Sequence, residues 1–453
     1  MHSHDASAPT PSLTRDDFRQ FFQQACTPER DWKIGTEHEL FVFDVLTNKP
    51  IPFEGDVSIS ALMEEMQAFG WQLEKGSKNT SGHSMAMKRD GASLTLEPAG
   101  QFELSGAPLD TLHETAQEFT THFKELKQAG EKIGVGFLPL GFHPTATLGG
   151  MPRMPKKRYE LMRKHMPKVG ERGCDIMYRS CTVQVNLDYS SEADMARKMR
   201  VGMALQPVAI ALWANSPYLE GQQTDYLSFR SHCWTKTDDD RAGFLPQVMN
   251  AHFGFDDYID FALGAPMCVA KRDGDILGAS GLSFSRFMAG ELPILPGEKA
   301  TMDDWQDHLA TLFPEVRLKK IVEMRGSDCA GPDMLMALPA FWVGLLYHEN
   351  TLETANAWVK NWHPDDILSL YEQARATGLK GEGINGTTIK TLAAQTLDMA
   401  LNGLKARGLG EEQYLAPLQE IVQTGKTPAD RLIETVQNHP TNDPACLFEK
   451  YRI

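Results

Sequence analysis

The placement of acidic residues on strand-like segments constrains this chain more than any other feature. In GTEHELFVF, Glu37 and Glu39 are two residues apart, which on a β-strand points both carboxylates to one face. Leu40 and Val42 then fill the other face. In LEPAGQFEL, Gln101 and Glu103 share a face, and Glu97 precedes them across a Pro-Ala-Gly break. In TVQVNLD, Gln184, Asn186 and Asp188 lie opposite Val183, Val185 and Leu187; in IVEMRGSD, Glu323 and Arg325 lie opposite Val322 and Met324. A solvated sheet face also alternates, but it usually mixes in Thr, Lys and Arg and avoids like charges opposite one another. Here carboxylates dominate three of the four strands, which is tolerable where they bind hard divalent cations. The solvated-face reading stays open at this point.

Alternation predicts strands over 32–44, 92–106, 179–190 and 317–328, and more weakly over 134–142 and 266–272. Helical patterns over 108–132, 191–214 and 331–349 separate them. Strands spaced by helices suit either parallel α/β or antiparallel α+β; clean alternation favours the antiparallel α+β class. Thr14 is expected to cap a first helix within Leu13–Cys26. Residues 1–14 read as a flexible tail and 15–453 as a single catalytic domain, with 351–453 mostly helical.

A formal charge of −15 disfavours a nucleic-acid partner, which needs basic surface. The longest apolar run, Leu335–Tyr347, has 13 residues and contains Pro339, too short to span a bilayer. The opening MHSHDASAPTPSLTR lacks a signal peptide's apolar core, so a cytoplasmic location is expected. Seven cysteines, widely spaced and without a CxxC pair, imply neither a zinc site nor a disulfide framework.

Within this acidic chain, residues 149–173 carry eight cations, including Arg153, Lys156, Arg158, Lys164 and Lys168. Arg153 and Arg158 flank a Pro-containing turn and are the better candidates for a phosphate or carboxylate ligand; Lys164 and Lys168 read as an ordinary solvated helix. Arg230, set among aromatics in YLSFRSHCW, suits an amino acid's carboxylate. His143, His165 and His308 are isolated and receive no role. The Gly-rich stretch at 274–284 lacks P-loop order, and neither a Rossmann fingerprint nor a serine-hydrolase elbow is present. Carboxylate strands with nearby arginines and no P-loop suit an ATP site where Mg²⁺ bridges phosphates to protein carboxylates.

GTEHELFVFD, EPAGQFELSGAPLDTLHET, MPRMPKKRYELMRKHMPKVG, CTVQVNLDYSSEADM, ALWANSPY, RSHCWTKTDDDRAG, FPEVRLKKIVEMRGSD and LPAFWVGLLY together resemble glutamate–cysteine ligase of the plant type, which also occurs in bacteria. The resemblance runs from about residue 15 to the C-terminus. It implies a glutamine-synthetase-like fold, with a curved antiparallel sheet lining the active site and helices around it. It also implies the reaction: ATP phosphorylates the L-glutamate γ-carboxylate, and the L-cysteine amine then displaces phosphate. The products are γ-glutamylcysteine, ADP and phosphate, in the first step of glutathione synthesis. By resemblance, Glu37, Glu39, Glu97, Glu103, Gln184 and Glu323 hold Mg²⁺, more than one ion. Arg230 takes the glutamate α-carboxylate, and Arg179 and Arg325 serve the phosphates or the acyl phosphate. Arg153 and Arg158 lie near nucleotide and substrate, and Trp234 and Phe102 form pocket walls. Feedback by glutathione, and a monomer or homodimer, are compatible with it. No protein nucleophile is needed, so Cys181 and Cys233 read as structural thiols.

Two other functions compete. A ligase of the same fold could join glutamate to another amine, since the acceptor pocket rests on few side chains. A metal-dependent hydrolase or a paired-acid glycosidase would use the carboxylates without ATP, but leaves the basic segment unexplained.

Overall fold

Strand β1 (Ile34–Asp44) is the axis of the molecule. The computed structural model describes residues 12–453, so most of the expected tail lies outside the described residues. β1 belongs to a nine-stranded sheet with β2 (Gln72–Leu73), β3 (Ala86–Arg89), β4 (Ala92–Leu96), β5 (Phe102–Ser105), β6 (Val135–Leu138), β7 (Val183–Leu187), β8 (Val316–Leu318) and β9 (Val322–Met324). The order is β8-β9-β7-β1-β5-β4-β3-β2, with β6 pairing the far half of β1. Every pairing in this sheet is antiparallel, as the alternation implied. The α+β class is borne out.

Register decides which side chains meet. Glu37 pairs with Gln184, Glu39 with Glu103, Thr95 with Glu103, Asn186 with Glu323 and Arg317 with Glu323. Because side chains alternate, these residues share one face. The other face carries Leu40, Leu94, Leu96, Phe102, Leu104, Val183, Val185, Val322 and Met324, all buried. Helices Leu112–Ile133 and Pro332–Leu346 pack behind β1, and Glu192–Leu212 packs behind β8 and β9. Glu192–Leu212 is buried nearly all round, with further helices against its outer side, so its sequence shows little amphipathic stripe. One hydrophobic cluster runs from Phe18 to Phe448.

Local signals explain the element ends. Thr14 caps the helix Arg15–Gln23 through a capping box with Asp17. Two predicted strands prove to be hairpins. Residues 92–106 form β4 and β5 around a turn at Pro98–Gln101, where Gly100 has φ of 78°. Residues 317–328 reverse at Lys319–Ile321 between β8 and β9. Both turns pair residues an even number apart, so the alternation runs through the reversal unbroken. At 179–190 the strand is shorter than predicted, because Gly173–Arg179 is helical.

Candidate active site

Glu39 and Glu103 face each other directly across β1 and β5. Like charges at such positions repel; Glu103 is buried and Glu39 half-buried. Burial, and then Glu97, push the Glu39 carboxyl up to about 8; burial with Glu97, Glu37 and Glu39 holds Glu103 well above the usual range. Glu97 is raised too, first by burial. The Thr182 N–H donates to Glu39 at 3.0 Å, the Thr95 hydroxyl to Glu103 at 2.5 Å, and Asn186 Nδ2 to Glu37 at 2.8 Å.

These four carboxylates line a cavity of about 290 Å³ together with Gln184, Lys156, Arg158, Arg230, Trp234, Arg317 and Arg325. Arg230 comes from the short helix Phe229–Trp234, capped by Ser228, and is only 2% exposed. Its terminal nitrogens donate to the carbonyls of Gly326 and Arg325 at 3.1 and 3.2 Å, while its Nε is buried without a partner. Arg325 donates to Gln184 Oε1 at 2.5 Å and to Glu323 at 3.0 Å. Arg158 donates to the Ala310 carbonyl at 3.2 Å. Trp234 leans on Phe313 at 5.7 Å between ring centroids. Burial pulls the Lys156 ammonium below its usual range, although Glu97 opposes this.

Four residues stand elsewhere than the resemblance implied. Arg179 ends the helix Gly173–Arg179, and its guanidinium is held by Asp175, the Ala146 carbonyl and Glu220. It does not line the cavity. Phe102 is a neighbour of Glu103 on the same strand, so it points to the opposite face and sits in the core. Arg153 is exposed, outside the cavity. Glu323 lies behind the lining, with its carboxylate accepting from Arg317 Nε and Nη2 at 2.5 and 3.0 Å. Burial alone would raise Glu323, but Arg317, Lys319 and Arg325 hold it well below the carboxylate range.

Sequence reasoning gave Arg317, Lys156, Tyr159 and Thr182 no individual role, yet all line the cavity. Arg317 was findable: it stands six residues before Glu323, the spacing of a tight hairpin with opposite charges paired across it.

With the side chains as they stand, no three carboxylate, His or Cys groups among the described residues converge enough to hold a metal ion. The donor chemistry nonetheless fits one. Burial, reinforced by neighbouring carboxylates, raises the proton affinity of Glu39, Glu97 and Glu103, and an oxygen-rich cluster is what a hard divalent cation takes.

Acids on a sheet face and arginines lining the same cavity, with no P-loop, suit a ligase that activates a carboxylate with ATP. The family model described as Glutamate-cysteine ligase family 2 (GCS2) matches residues 33–446. The chain is 46% identical over 434 residues to the chloroplastic glutamate–cysteine ligase of Brassica juncea, covering 95% of this chain and 83% of that one. It is 46% identical over 431 residues to chloroplastic glutamate–cysteine ligase B of Oryza sativa subsp. japonica, covering 95% and 86%. A solved Francisella tularensis glutamate–cysteine ligase in complex with AMP superposes with a TM-score of 0.57 at 13% identity, over 93% of this chain and 87% of that one; it shows a shared fold. The chain belongs to the glutamate–cysteine ligase family and is an ATP-dependent ligase.

Proposed function

We propose that this protein makes γ-glutamylcysteine, with the cavity beneath Arg230 as its active site. The γ-carboxylate oxygen of glutamate attacks the γ-phosphorus of ATP, and ADP leaves. The cysteine amine then attacks the acyl carbon, its C–O bond to phosphate breaks, and inorganic phosphate departs. The observation that carries this reading is that facing carboxylates, Glu39 and Glu103, share one cavity with Arg230 and Arg325.

Arg230, which lines the cavity, holds the glutamate α-carboxylate. Arg325, with Arg158 and Lys156, neutralises phosphate oxygens. Trp234 and Phe313 exclude water from one side. Glu37, Glu39, Glu97, Glu103 and Gln184 would hold Mg²⁺, and Glu323 would join them by exchanging an arginine contact for the ion. When bound, Mg²⁺ supplies charge neutralisation on the transferring phosphoryl group.

Cys181, Cys233, Cys268 and Cys329 are free and buried, which suits a reducing compartment such as the cytosol. Glutathione carries the same γ-glutamyl group as the product, so it is expected to compete for the Arg230 pocket. A monomer or homodimer is the expected state, read by sedimentation. The deciding assay is phosphate release from ATP with glutamate and a panel of amines. Release should require glutamate and be fastest with cysteine; equal rates with other amines would sink the cysteine assignment.

A further inference from the structure

Asp328 is a carboxylate outside the cavity lining. It is fully buried and follows β9, in a bridge to Thr182. One oxygen accepts the Asn215 N–H at 2.9 Å and the Ser216 hydroxyl at 2.6 Å; the other accepts the Ser228 hydroxyl at 2.9 Å. Two of those three donors, Ser216 and Ser228, lead to Arg230. Ser216 Oγ accepts the Arg230 backbone N–H at 3.1 Å. Ser228 Oγ caps the helix that carries Arg230, taking the Ser231 N–H at 3.2 Å. Arg230 Nη1 itself lies 4.0 Å from Asp328. The fit is tight on the far side as well, since a Cβ on Gly141 would fall 2.4 Å from the Asp328 carboxyl carbon.

A buried carboxylate costs several kcal/mol unless its charge is matched and its oxygens are bonded. Around Asp328, the nearest cation and two of its three hydrogen-bond donors belong to, or fix, one arginine. We infer that Asp328 is a positioning residue: it sets the backbone and guanidinium of Arg230, which lines the cavity, for the substrate's α-carboxylate. Its effect on catalysis is exerted through Arg230 and is confined to glutamate. The inference rests on the reading of Arg230 as the α-carboxylate ligand.

Asp328→Asn separates positioning from bulk. Whichever way its amide turns, an NH₂ faces either Ser228 or the Asn215–Ser216 pair, and one side of the hub loses its acceptor. Steady-state kinetics on Asp328→Asn, Arg230→Ala and the double variant should show the glutamate KM of Asp328→Asn raised about tenfold, with the ATP and cysteine KM values unmoved. The double variant should be no worse for glutamate than Arg230→Ala alone. Equal rises for all three substrates, or a glutamate effect that adds in full to that of Arg230→Ala, overturns the positioning role. Should Asp328→Asn fail to fold, Ser228→Ala keeps the charge and removes one link: a smaller, glutamate-only KM rise supports the inference, and an unmoved KM overturns it. If Arg230→Ala leaves the glutamate KM unchanged, the reading of Arg230 falls and takes this inference with it. If Arg230→Ala raises that KM and neither hub variant does, only the role of Asp328 falls.

Discussion

Arg317 and Glu323 are paired across the β8–β9 hairpin, with the guanidinium Nε and Nη2 both donating to the buried carboxylate. Glu323 is fully buried and also accepts from Arg325. Removing its charge leaves two guanidinium groups facing each other with no anion between them. Glu323→Gln is therefore expected to lose about 3–5 kcal/mol of stability, the range for breaking a buried pair by removing one partner. Urea unfolding of the two proteins measures it. A loss under about 1 kcal/mol would place the pair in the class of exposed ion pairs.

Glu39 calls for the opposite expectation. Burial first, and Glu97 next, penalise its charged form, so Glu39→Gln removes that cost in the metal-free protein. The variant should unfold no earlier than the parent without Mg²⁺, and should lose most ligase activity. Adding MgCl₂ should raise the parent's melting temperature, since a ligand of the folded state stabilises it, and should raise the variant's less. Equal Mg²⁺ shifts in the two proteins would remove Glu39 from the ion's ligands.

The acidic face was legible because strand alternation is a local property: Glu37, Glu39 and Glu103 could be placed on one side from spacing alone. What stayed hidden depends on how the chain turns back. The hairpin at Lys319–Ile321 preserves parity, so Arg317 read as the start of one long strand instead of a partner for Glu323. Lys156 and Arg153 belong to the same basic run, yet only Lys156 reaches the cavity, a distinction made by the helix start at Lys157. Asp328 gave no signal, because Asn215, Ser216 and Ser228 lie 100 or more residues away in sequence.

Arg179 tests the boundary between support and chemistry. Asp175, one helical turn earlier, and Glu220 occupy the guanidinium of this buried residue. Arg179→Met should lower the melting temperature, because it removes one of the two arginines that pair the buried Asp175 and leaves it with Arg172 alone. The KM values for ATP and glutamate, measured well below that melting temperature, should stay at the parent's. A selective rise in the ATP KM with unchanged stability would return Arg179 to the phosphate site.

His165 joins three parts of the structure and makes stability depend on pH. It lies on the helix Lys157–Val169, whose Met162 and Met166 line the cavity. Its Nδ1 is 2.6 Å from Ser280 Oγ, on the strand Asp275–Leu282 of a separate two-stranded hairpin, and its Nε2 is 3.4 Å from Asp238. The hydrogen bond to Asp238, with help from Cys268, raises the imidazole to about 9 from an ordinary 6.5, although burial and Arg241 oppose it. A group whose folded pKa lies above its unfolded one binds a proton more tightly when folded. Its stabilisation is complete below 6.5 and is lost as pH rises through about 9. His165→Gln should therefore melt well below the parent at pH 6, and the gap should close toward about pH 9.5. Circular dichroism melts across that range would show it. A gap that stays constant with pH would mean that His165 packs without carrying charge.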